Sequence, residues 1–75
     1  MAKAKPSLAE RQTFARQLKN QMETRGVNAS QVARAIGVFP STISRLLAAE
    51  TMPNFSTLKD LAAYLQCTIE ALIKE

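Results

Sequence analysis

Seventy-five residues with a formal net charge of +4, one cysteine and no histidine make one small domain and exclude several functions at once. A lone thiol without imidazole leaves no intrachain disulfide, none of the common zinc sites and no Ser-His or Cys-His nucleophile pair, so no enzyme, metal or cofactor is expected. The opening MAKAKPS lacks an apolar signal core and no apolar run could span a bilayer, so the expected protein is soluble and cytoplasmic, without a membrane partner.

Charge is unevenly placed. Residues 1–45 carry eight basic groups against two acidic ones, a net of +6, and residues 46–75 carry two against four, a net of −2. A basic half joined to a mildly acidic half fits a molecule that turns one face to a polyanion. A surface of scattered, solvated lysines fits the totals equally well, so charge alone does not choose.

Residues 1–6, MAKAKP, read as a flexible basic arm and residues 7–75 as a single domain. Ser7 and Glu10 have the spacing of a capping box, opening a helix over about 7–25. Phe14, Leu18 and Met22 then recur every fourth residue on one face, and Gly26 supplies the left-handed stop. Asn28 and Gln31 repeat the capping box before a second helix over about 29–36. Its apolar arc of Ala29, Val32, Ala33 and Ile36 is narrow, with Ser30 and Arg34 facing away, so it must pack on neighbours to persist.

Gly37 ends that helix, Val38 follows, and Pro40 suits the first position of a third helix over about 40–48. Phe39 is a poor cap, having no side-chain oxygen for the orphan N–H groups. Asn54 caps a fourth helix over about 55–65, with Leu58, Leu61, Ala62 and Leu65 as its stripe. Thr68 caps a fifth over about 68–74, carrying Ile69, Leu72 and Ile73. The expected fold is all-α, with five helices and no strand. Its core should hold Phe14, Leu18, Met22, Val32, Ile36, Val38, Ile43, Leu46, Leu58, Leu61 and Leu65. Phe55 and Tyr64 are expected to pack as well, and Cys67 to be a buried, inert thiol.

The third helix carries the sharpest signal. Wound at about 100° per residue, it turns Ile43, Leu46 and Leu47 inward and Ser41, Ser44, Arg45 and Ala48 outward. That outer face is small apart from one arginine and has no acid. A solvated helix face would more often carry Glu and Lys, whereas a helix lying deep in the DNA major groove needs small residues and a few reaching donors.

The stretch GVNASQVARAIGVFPSTISRLLAAETMPNFSTLKDLAAYLQCTIEAL resembles the helix-turn-helix of the lambda-repressor/Cro-like (Xre-type) family. The marks are LKNQMETRGV closing helix 1, VARAIGV across helix 2 and the turn, STIS in helix 3 and LKDLAAYL in helix 4. The resemblance spans about residues 14–73. It implies a five-helix DNA-binding domain, acting as a dimer on a two-fold operator. It also implies base reading at the start and outer face of helix 3, by Pro40, Ser41, Ser44 and Arg45. Relatives commonly place Ser or Thr at Phe39 and Gln at Pro40 and Ala29, so base choice here should rest on Arg45, Ser41 and van der Waals contact from Pro40 to a thymine methyl.

Phosphate contacts are expected from the N-terminus of helix 2 at Asn28, Ala29 and Ser30, where N–H groups and the dipole favour an anion. Arg34 and Thr42 should flank them, with Thr51, Asn54 and Ser56 from the loop and start of helix 4. Lys3 and Lys5 of the arm either touch the duplex or form a solvated tail. Leu72 and Ile73 either meet a second protomer or pack against helix 1. The leading expectation is a sequence-specific regulator of double-stranded DNA, most simply a repressor on a palindromic operator, with no small-molecule ligand. The rival is an antitoxin or accessory domain acting mainly on a partner protein, disfavoured because few residues lie outside the helix-turn-helix.

Overall fold

Ser7 opens the first helix through the capping box that its spacing from Glu10 predicts. Its Oγ accepts from the Glu10 N–H at 3.1 Å, and the Glu10 carboxylate accepts from the Ser7 N–H at 2.8 Å. The computed structural model describes residues 7–74, so Lys3, Lys5 and the rest of the expected arm lie outside the described residues. Helix α1 (Leu8–Arg25) buries Phe14, Ala15, Leu18 and Met22. It stops at Gly26, whose φ of 66° is left-handed, while the Val27 N–H reaches back to the Met22 carbonyl at 3.0 Å.

Helix α2 (Ala29–Ile36) starts from the second capping box. Asn28 Oδ1 accepts from the Gln31 N–H and Gln31 Oε1 accepts from the Asn28 N–H, both at 2.8 Å. Gly37, at φ 77°, closes it, with the Val38 N–H on the Ala33 carbonyl at 3.0 Å. Helix α3 (Pro40–Leu47) follows after only Val38 and Phe39. It ends one residue before the expected 48, because Ala48 has already left helical geometry and Ala49 turns left-handed at φ 61°. The Glu50 N–H then bonds the Arg45 carbonyl at 3.1 Å and the Ala49 N–H the Leu46 carbonyl at 3.2 Å. This is the glycine-type ending built on an alanine.

Asn54 Oδ1 accepts from the Thr57 N–H at 2.8 Å at the head of α4 (Phe55–Leu65). Thr68 does the same for α5 (Ile69–Ile73), accepting from the Ala71 N–H at 3.0 Å. Between them Gln66 is left-handed at φ 55°. There the Arg25 guanidinium donates to the Gln66 side-chain oxygen at 2.9 Å and to its main-chain carbonyl at 3.2 Å, tying the end of α1 to the end of α4.

The layout is five helices around one core, with no strand among the described residues. α1 packs on α3, α4 and α5, while α2 packs on α3 and α4. Of the expected core, Phe14, Leu18, Met22, Val32, Ile43, Leu46, Leu61 and Leu65 are buried, and Ile36, Val38 and Leu58 sit half-buried at its rim. Phe55 corrects an expectation: it is 67% exposed, because it opens α4 ahead of the inward stripe, and Lys59 Nζ lies 5.5 Å from its ring centre. Tyr64 is covered over more than half its surface, at 37% exposed, but does not join the buried core. Leu72 is a second correction. It is fully buried in the core, with α5 packed on α1 and α4, so it cannot form a surface for a second protomer. Ile73 beside it stays exposed. Cys67 is half-buried rather than buried, and that partial burial pushes its thiol pKa up, against a smaller downward pull from Arg25.

Candidate nucleic-acid interface

Helix α3 is fixed from its inner side. Ile43 and Leu46 are 0% and 1% exposed and belong to the core, and α3 packs on both α1 and α2. Its C-terminal end is also held, by Arg11 Nε of the first turns of α1 donating to the Ala49 carbonyl at 3.0 Å. With one side so anchored, the opposite face has no freedom to rotate inward. Pro40, Ser41, Ser44, Arg45 and Ala48 are all exposed, as winding the helix from Ile43 requires.

The turn that sets α3 against α2 is built from Gly37, Val38 and Phe39. Gly37 supplies a left-handed residue that a side chain would strain, and half-buried Val38 plugs the corner against the core. Phe39 is extended and makes no side-chain cap, and Pro40 fills the first helical position where a missing N–H costs nothing.

Beside this face, α3 and the loop that follows enclose a shallow recess. It is lined by Thr42, Arg45 and Leu46 of α3, by Thr51, Met52, Pro53 and Asn54 of the loop, and by Thr57 of α4. The fold therefore brings together four residues that the sequence singles out from separate segments. Ser56 is exposed on the first turn of α4. Thr51 Oγ1 donates to the Met52 carbonyl at 3.3 Å, and the Asn54 side-chain oxygen is committed to its cap.

Asn28, Ala29 and Ser30 stand at the N-terminus of α2, with Arg34 exposed on its last turn. The capping box there engages the N–H groups of Asn28 and Gln31. An anion at this end would accordingly be met by Ala29 and Ser30. Nothing local in the sequence marks Arg11 or Thr57, since Arg11 braces a segment 38 positions away and Thr57 lines a recess closed by tertiary packing.

Electrostatics single out the same region. From Thr24 to Ala49 the chain contains no acid, and its only charges are Arg25, Arg34 and Arg45. Among the described residues no group of acidic, cysteine or histidine side chains could hold a metal, and no helix is long and apolar enough to cross a membrane.

Residues 13–74 match the family model described as a helix-turn-helix domain. The chain belongs to that family. Its fold is that of the lambda-repressor/Cro-like group, and the family is one of DNA-binding transcriptional regulators. Among solved structures, a transcriptional regulator of the HTH_3 family from Vibrio cholerae is 26% identical, with a TM-score of 0.79, over 87% of this chain and 36% of that one. This chain thus spans about a third of the Vibrio protein's length. The restriction-modification controller protein C.AhdI from Aeromonas hydrophila is 17% identical, with a TM-score of 0.80, over 85% of this chain and 97% of that one. A LexA-type SOS-response transcriptional repressor from Eubacterium rectale is 21% identical, with a TM-score of 0.85, over 100% and 76%. The last two show the shared fold alone. No curated protein matches the sequence.

Proposed function

We propose that this helix-turn-helix domain is a sequence-specific regulator of double-stranded DNA, acting as a repressor that occupies a palindromic operator as a homodimer. One observation carries the reading: an exposed, acid-free outer face on α3, backed by buried Ile43 and Leu46. A second helix presented in this way, after a glycine turn, is shaped to enter a major groove about 12 Å wide.

In this reading α3 lies in the groove with Arg45 donating to a base edge, best to guanine O6 and N7, while Ser41 and Ser44 allow close approach. Pro40 adds van der Waals contact at the helix start. Phosphates are held by the N–H groups of Ala29 and Ser30 with the Asn28 side chain, and by Arg34. On the other side of α3, Thr42, Thr51, Asn54 and Ser56 hold the next ones. Ile73, the exposed member of the α5 pair, is the remaining candidate there for contact with a second protomer. Such a protein works in the cytoplasm, on the nucleoid, and needs no cofactor.

The test is equilibrium binding to a duplex selected from a random pool and to its scrambled counterpart, between 50 and 200 mM salt. The expected affinity for the selected duplex is at least about a thousand-fold the higher, and both affinities fall steeply with salt as phosphate counterions are released. Equal affinity for the two duplexes at every salt concentration would refute sequence reading.

A further inference from the structure

Phe39 is the most exposed large apolar side chain among the described residues, at 78%. It sits at the N-cap of α3 with an extended backbone and gives that helix no side-chain hydrogen bond, whereas Ser7, Asn28, Asn54 and Thr68 cap the other four helices. The fold loses twice at this position. A cap worth having is absent, and an aromatic ring stays in water. No hydrogen bond or ring contact of the Phe39 side chain offsets either loss in the free domain, which turns attention to what α3 meets.

Position and charge narrow what that is. Phe39 directly precedes Pro40 and Ser41, both exposed, at the leading end of the outward face. It lies within the acid-free run from Thr24 to Ala49, a surroundings suited to a polyanion rather than to a second copy of the same basic segment. The residues leading a recognition helix are those that reach base edges. The apolar group that a double helix displays in its major groove is the C5-methyl of a pyrimidine.

We infer that the Phe39 ring, together with Pro40, reads a pyrimidine C5-methyl group, so that one base pair of each half-site is chosen by apolar contact instead of hydrogen bonding. The inference rests on the DNA-reading role proposed above. Thymine and 5-methylcytosine both carry this methyl group, and binding would sense either.

The test begins with the duplex that wild-type protein enriches most from a random pool, each thymine then being replaced singly by uracil. In each half-site one such replacement is expected to weaken wild-type binding about three- to five-fold, the worth of one buried methyl. Phe39→Ser should bind the original duplex correspondingly less tightly and be indifferent to that uracil. Cytosine and 5-methylcytosine at the same position, opposite guanine, separate the two sources: methylation restores a similar factor for wild type and none for the variant. Phe39→Ser should melt no lower than wild type, since serine supplies the missing cap, which removes misfolding as an explanation.

The inference is overturned if no uracil matters, or if its effect is the same size in Phe39→Ser. It is also overturned if the variant changes the sedimentation of free protein but not its base preference, for then the ring covers a protein contact. Wild type that distinguishes no duplex from random DNA would instead refute the DNA-reading role, and this inference with it.

Discussion

Arg45 and Leu72 mark the two limits of what a single position says here. Arg45 stands outward on α3, as counting turns from Ile43 requires, and it is the one long side chain on that face. Replacing it with alanine should weaken binding to the selected duplex by about five- to 150-fold, since a bidentate base contact discriminates by about 1–3 kcal/mol. Binding to scrambled DNA should weaken far less, and titration of both duplexes against both proteins checks it. If wild type and Arg45→Ala show the same preference, Arg45 is not a base reader. Leu72 was not legible in the same way, because a helix of five residues has too little period to show which side is buried. Its burial in the core means that Leu72→Ala should lower stability by about 2–5 kcal/mol, a large share of what so small a domain has. Thermal melts followed by circular dichroism should show that loss at every protein concentration. A melting point that instead depended on concentration only in the wild type would restore Leu72 to an interface.

At the scale of the helix, what could be read from the sequence was what is local. The capping boxes of Ser7 with Glu10 and Asn28 with Gln31, the caps at Asn54 and Thr68, and the stops at Gly26 and Gly37 each depend on residues within a turn of one another. All six form as expected. The endings of α3 and α4 could not be read so, because Ala49 and Gln66 adopt the left-handed conformation without being glycine. Their conformation is imposed by where the next segment must go and held by long-range partners, Arg11 on Ala49 and Arg25 on Gln66. Ala49 should therefore carry removable strain. Ala49→Gly relieves the clash of Cβ in that conformation, at some cost in unfolded-chain entropy. The net expectation is a gain of about 0.5–1 kcal/mol, seen as a melting point a few degrees higher. A lower melting point would mean that the alanine methyl packs more than its position suggests.

For the whole molecule, the helix order is legible in the sequence, and winding α3 from Ile43 gives the outward face proposed to meet DNA. What they left unseen was the recess that draws Thr42, Arg45, Thr51 and Asn54 together, since it exists only once the loop after α3 folds back beside that helix. The same fold leaves Ile73 exposed and Leu72 inside, so the dimer contact proposed on α5 rests on Ile73 alone. The central claim, that two copies present α3 to one face of a symmetric site, can be measured directly by selecting bound duplexes from a random pool with the full chain. The expected result is a palindromic consensus whose half-site centres lie about 10 base pairs, or about 34 Å, apart. Selection that yields a single asymmetric site, or no enrichment, would contradict it.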